Sequence, residues 1–97
     1  MREKVVEAYL RDRVKEIGGK AYKFVSPGNN DVPDRLVCLP GGQAVFAELK
    51  APGKKPTALQ INQQNKLAKM GFSVWTLDSK HEVDVFINYC TSVVKRQ

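Results

Sequence analysis

Two short β-type runs flank the turn Pro40-Gly41-Gly42, and the way that turn reverses the chain constrains everything from Pro33 to Lys50. If Leu39 pairs with Gln43 across a three-residue loop, antiparallel counting sets Leu36 against Phe46 and Asp34 against Glu48 on one sheet face. A two-residue Gly41-Gly42 turn would put the two carboxylates on opposite faces. The first register also matches Val37 with Val45 and Cys38 with Ala44, so it is the one the apolar pattern favours. Alternation then adds Lys50 to the face carrying Glu48, roughly 7 Å along the strand.

Two facing carboxylates repel each other, and a nearby ammonium offsets only part of that repulsion. A divalent cation with oxygen ligands resolves the conflict better. Mg²⁺ takes about six oxygens and keeps several waters. Asp34, Glu48 and the backbone carbonyl of Leu49 can hold it while leaving positions for water and a phosphate. Lys50 would then orient or deprotonate the attacking water. The plain alternative is a solvated hairpin with a Glu48/Lys50 ion pair, which so short a pattern does not exclude.

Pro33-Asp34 followed by Glu48-Leu49-Lys50 across a hairpin resembles the PD-(D/E)XK nuclease superfamily, which includes restriction enzymes and archaeal Holliday-junction resolvases. Further segments extend the likeness: Lys23-Phe24-Val25-Ser26-Pro27-Gly28, Val32-Pro33-Asp34-Arg35-Leu36-Val37, Phe46-Ala47-Glu48-Leu49-Lys50-Ala51-Pro52-Gly53 and Leu59-Gln60. Together they are similar to the stand-alone VRR-NUC domain of viruses and prophages, the domain type that also ends the Fanconi-associated nuclease. The resemblance covers nearly the whole chain and implies a metal-dependent DNA endonuclease using Mg²⁺ or Mn²⁺. It also implies a glutamate on the first helix, for which spacing to the following Gly favours Glu7, with Glu3 as the alternate. It points as well to Gln60 as a site amide that holds a water or phosphate oxygen. One departure is Asn30-Asp31, where many relatives are expected to carry a Gly.

The element pattern agrees with that core. Val6, Leu10, Val14 and Ile17 recur at helical spacing before Gly18-Gly19, with Glu3 inside the apolar stripe and Glu7 at its edge. Lys20 to Val25 reads as a strand, and Ser26-Pro27-Gly28-Asn29-Asn30 as turn chemistry. Thr57 caps a helix expected to turn Leu59 or Ile61, Leu67 and Met70 toward the core. Phe72 to Leu77 is a strand, which makes a parallel crossover from Val45, and His81 to Cys90 is a final helix. The order is helix, three strands, helix, strand, helix: an α/β fold with a mixed sheet flanked by helices, one domain over residues 1–97.

A net charge of +6 and a pI near 9.5 favour a polyanionic partner without specifying one. Lys23, Ser26, Asn29 and Asn30 near the Asp34 end, and Lys54 and Lys55 beyond the active strand, are candidate nucleic-acid contacts. Arg35 should point to the other face and pair with an acid there. Cys38 and Cys90 lack metal-site spacing and His partners and read as buried thiols, while His81 reads as structural or exposed. No apolar run nears the ~18 residues of a membrane span, and Arg2-Glu3-Lys4 opens no signal core. A cytoplasmic protein is expected, in the host cytoplasm if phage-encoded.

The leading reading is an endonuclease that cleaves phosphodiesters by in-line attack of water, structure-specific for branched DNA in the manner of a Holliday-junction resolvase. A non-catalytic basic DNA-binding module and a protein-interaction domain are the alternatives. A homodimer is expected because one domain of 97 residues offers a single site and a small basic face, too little to span a junction. The final helix, with Val85, Phe86, Tyr89 and Val93, is the candidate interface.

Overall fold

The computed structural model describes residues 2–95. Its elements run α1 (Glu3–Glu16), β1 (Lys20–Lys23), β2 (Arg35–Leu39), β3 (Gln43–Leu49), α2 (Ala58–Lys69), β4 (Val74–Leu77) and α3 (Lys80–Lys95). The expected order is observed. The four strands lie in the order β1-β2-β3-β4, with the first two pairings antiparallel and β3 parallel to β4. Leu39 faces Gln43, Val37 faces Val45 and Leu36 faces Phe46, the register of the three-residue turn. Gly41 and Gly42 carry φ of +87° and +86°, values that strain residues with a Cβ.

One sheet face holds the core. Val37 and Leu39 of β2, Val45, Ala47 and Leu49 of β3 and Leu77 of β4 pack against Val6, Leu10 and Val14 of α1 and Val83, Phe86, Ile87 and Cys90 of α3. The heptad-like spacing of α1 therefore buries the stripe that its sequence marks out. Gly19 lets α1 return close to the sheet: a Cβ there would stand 2.7 Å from the Cys38 carbonyl oxygen. Cys90 is buried, whereas Cys38, on the other face, is only half-buried, so the expectation of two buried thiols holds for one.

α2 departs from the expectation. It buries no residue, and Leu59, Ile61 and Met70 are 64 %, 45 % and 66 % exposed. The half-buried positions are instead Gln60, Gln63, Gln64 and Leu67, which share one stripe at helical spacing. The apolar residues also fit a helical period, but the partners this helix finds are Thr76 and the Asn30 carbonyl. Gln64 Nε2 donates to Thr76 Oγ1 at 3.3 Å and Gln63 Nε2 to the Asn30 carbonyl at 3.3 Å.

α3 is longer than its apolar pattern indicated and spends that pattern on the monomer. Phe86 is fully buried, and Tyr89 stacks on Trp75 and shares a 2.6 Å hydrogen bond with Ser73. Val85 remains exposed. Phe86 and Tyr89 are therefore core residues and no spare apolar surface. None of the described helices is long and apolar enough to cross a membrane.

Candidate active site

The β2–β3 hairpin carries the site. Its ladder ends at Arg35 opposite Ala47, and Asp34 lies one residue beyond. There the carboxylate takes up the strand's next bond itself, with Asp34 Oδ1 accepting from the Leu49 N–H at 3.1 Å. Glu48 is two residues past Phe46 on the Phe46 face, is 4 % exposed, and stands opposite Thr76 across the parallel pair. Its Oε1 is buried with no hydrogen-bond partner. An orphaned carboxylate oxygen in the interior is costly unless something positive completes it.

The electrostatics agree with that cost. Burial, then the charge of Asp34, push the Glu48 carboxyl up to about 7, although Lys50 pulls it the other way. Burial also raises Asp34, against the Leu49 N–H and the Arg35 charge, which favour its anion. The donor set is all oxygen and partly desolvated, with too much negative charge for the one ammonium beside it, and it fits a hard divalent cation. Among the described residues no three His, Cys, Asp or Glu side chains converge tightly enough to cage a metal. Mg²⁺ needs only one or two carboxylates, because it keeps several of its waters. The main chain after Glu48 is pinned, the Lys50 N–H donating to the Leu77 carbonyl at 3.0 Å.

Of the two candidate helical acids, Glu3, the alternate, is the one whose charge is felt by this pair. Its charge raises the carboxyls of both Asp34 and Glu48. Glu7 is engaged elsewhere, its Oε2 lying 2.8 Å from Arg35 Nη2. The reason is strand alternation: Arg35 projects to the α1 side with Val37 and Leu39, and its guanidinium reaches the nearest helical carboxylate.

Gln60 is half-buried in the first turn of α2. Its Oε1 accepts from the Thr57 N–H at 2.9 Å and closes a capping box with the Thr57 hydroxyl. Gln64, one turn on, is the residue the sequence reading missed, since its amide holds Thr76 directly beside Glu48. The available signal was the run Gln60-Ile61-Asn62-Gln63-Gln64, four amides in five residues.

Ser26 and Asn29 bond to each other, with Asn29 Nδ2 donating to Ser26 Oγ at 3.1 Å. Lys23 is exposed and lies opposite Arg35, one residue from Asp34. Lys54 and Lys55 are exposed on the loop after β3, which Asp78 ties down through the Gly53 N–H at 3.3 Å. His81 is exposed and takes no part in the site. A cleft of about 450 Å³ opens at the other end of β3, lined by residues that include Gly42, Gln43, Phe72 and Tyr89 but no acid.

No family model matches the chain. "Putative nuclease p44" of Acyrthosiphon pisum secondary endosymbiont phage 1 is 51 % identical to it over 80 residues, 82 % of this chain and 86 % of that protein. A solved structure described as a VRR_NUC domain superposes with a TM-score of 0.84 at 32 % identity, covering 90 % of this chain and 95 % of that one. The chain belongs to the VRR-NUC nuclease family. The likeness to the VRR-NUC fold thus extends over nearly the whole chain.

Proposed function

We propose that this VRR-NUC protein is a Mg²⁺- or Mn²⁺-dependent endodeoxyribonuclease. The observation that carries the reading is the buried Glu48 carboxylate, with one oxygen unpartnered, next to Asp34 and within the field of Lys50. Asp34, Glu48 and the Leu49 carbonyl would hold the cation. When bound, it would polarise the scissile phosphate and stabilise developing negative charge.

The remaining work falls to side chains of the chain itself. Lys50 orients the attacking water and stabilises the charge that grows on it. Glu3 adds negative potential from α1. Gln64 and Thr76 hold the wall beside Glu48, and Gln60 fixes the start of α2 through its cap. Lys23, Lys54 and Lys55 are exposed cations for the DNA backbone, with Ser26 and Asn29 on the loop between them and the site.

A two-fold homodimer acting on branched DNA is the form of the activity we infer. One compact domain presents one site, whereas two sites related by a two-fold axis match a four-way junction. Because Phe86 and Tyr89 of α3 are spent on the core, we assign the pairing surface to exposed apolar residues around α2, Leu59, Ile61, Met70 and the neighbouring Phe72.

Incubation with junction, flap, nicked, single-stranded and plain duplex DNA, with Mg²⁺ and with Mn²⁺, tests activity and substrate class together. Metal-dependent cleavage that prefers the junction, with paired nicks, is the expected result. DNA binding that is indifferent to metal, without cleavage on any substrate, overturns the enzymatic reading.

A further inference from the structure

The edge strand β1 reads Lys20-Ala21-Tyr22-Lys23 and runs on into Phe24, with cations and rings but no acid. Its register fixes which of these side chains share a face with the candidate site. Tyr22 faces Leu36, which faces Phe46. The Phe24 N–H donates to the Asp34 carbonyl at 2.9 Å and carries the pairing one step past the strand. Alternation therefore puts Lys20, Tyr22 and Phe24 on the face that holds Asp34 and Glu48, in a row of roughly 13 Å that ends opposite Asp34.

The rings of that row differ in what they meet. Phe24 is half-buried and packs edge-on against Phe46, with ring centres 5.4 Å apart. Tyr22 is left 48 % exposed, and Lys20 Nζ stands 4.8 Å from its ring centre. Beside Lys20 a hollow of about 380 Å³ is lined by Arg11, Lys15, Gly19, Lys20 and Ala21, three cations and no acid. Arg11 is paired with Asp12 at 3.2 Å, so Lys15 and Lys20 carry the positive charge of this hollow. An exposed ring next to cations, in line with the catalytic acids, is the arrangement that holds single-stranded nucleic acid: the ring takes a base face and the cations follow the backbone. Plain duplex keeps its base faces stacked inside and offers the ring nothing.

We propose that Tyr22 stacks on an unpaired base of the substrate, with Lys15 and Lys20 on the adjoining phosphates, so that an unpaired strand runs along β1 to the phosphate cleaved at Asp34. The inference rests on the nuclease reading given above and names its substrate class, DNA with unpaired nucleotides beside the cut.

The test measures binding in EDTA, where nothing is cut. Labelled single-stranded, flap and blunt duplex oligonucleotides are followed by anisotropy, and 2-aminopurine in the single strand reports stacking by its loss of fluorescence. Tyr22→Thr keeps a strand-forming residue and should bind the single strand and the flap about tenfold more weakly, with 2-aminopurine left bright. Its affinity for blunt duplex should stay within about twofold of wild type. Tyr22→Phe keeps the ring and should restore both readouts. Lys15→Gln and Lys20→Gln should each lower the slope of log affinity against log salt on the single strand by about 0.7. Wild-type affinity in Tyr22→Thr, or an equal loss on duplex and single strand, overturns the stacking role. If Tyr22→Thr melts well below wild type, the lysine variants decide, and unchanged salt slopes overturn the strand path along β1. Wild-type protein that cuts no DNA with Mg²⁺ or Mn²⁺ overturns the nuclease reading, independently of these affinities.

Discussion

Arg35 Nη2 meets Glu7 Oε2 at 2.8 Å, across the α1 side of the sheet and away from the unpartnered oxygen of Glu48. The Arg35 end of that pair is well covered, at 12 % side-chain exposure, and the Glu7 end is 47 % exposed. The pair therefore joins α1 to β2 structurally. Glu3→Gln is expected to lower Mn²⁺ affinity and cleavage rate more than Glu7→Gln does. Glu7→Gln should instead lower the melting temperature, at a cost of about 1 kcal/mol or less for a half-exposed partner. Parallel calorimetric titrations and thermal melts of the two variants check this; a larger catalytic loss in Glu7→Gln would reverse the assignment.

Asp34→Asn and Lys50→Ala should each reduce single-turnover cleavage by at least about a hundredfold, through different steps. Asparagine keeps an acceptor for the Leu49 N–H but loses the charge that a cation needs, so Mn²⁺ binding falls with activity. Lys50→Ala should retain Mn²⁺ binding, or strengthen it slightly, because the ammonium opposes a second cation. Rates within about threefold of wild type in either variant would count against its role.

The proton that Glu48 holds near neutrality has a thermodynamic consequence. Its folded carboxyl titrates at about 7, above the ordinary value of 4.5, so between those values the folded protein binds more protons than the unfolded chain. Stability without metal should then be highest below about pH 4.5 as far as this group is concerned. It should fall as pH rises toward 7, by on the order of 3 kcal/mol in all. Asp34, raised in the same direction, adds to the trend. Mg²⁺ must displace the proton, so its affinity should climb with pH up to about 7 and level off above. Melting curves from pH 4 to 8 with EDTA and with Mg²⁺ measure both slopes; a metal-free stability that rises over this range would contradict the placement of Glu48.

Exposure on α2 separates surface from core. Leu59→Lys and Met70→Lys should each change stability by no more than about 0.5 kcal/mol, since both side chains are more than 60 % exposed. Phe86→Ala, at a fully buried position, should cost about 3–5 kcal/mol. Denaturant unfolding gives both numbers. Light scattering of the same Lys variants tests the dimer surface: loss of dimer mass with the fold intact is the expected result, and an unchanged mass removes α2 from the interface.

Short-range pairing made much of this molecule legible from its residues. The Pro40-Gly41-Gly42 turn and the apolar matches Val37/Val45 and Leu36/Phe46 determined the hairpin register, because a one-residue slip would exchange the two faces of the sheet. The same alternation turned Arg35 toward α1, and the stripe Val6, Leu10, Val14 set the buried side of that helix. What only the tertiary structure decided are the relations between elements that meet across the fold. Glu3 and Glu7 lie one turn apart on nearly the same side of α1, and it is the Arg35 guanidinium, not helical phase, that draws Glu7 into an ion pair. In α2 both an apolar and an amide stripe were available. The amides face inward because the surface they meet offers Thr76 and the Asn30 carbonyl as partners, and hydrogen-bonding groups near a buried carboxylate are satisfied before exposed apolar ones are covered. The loop before Asp34 lies outside every periodic pattern, and its closure on α2 through the Gln63 amide and the Asn30 carbonyl is a long-range contact that no local rule encodes.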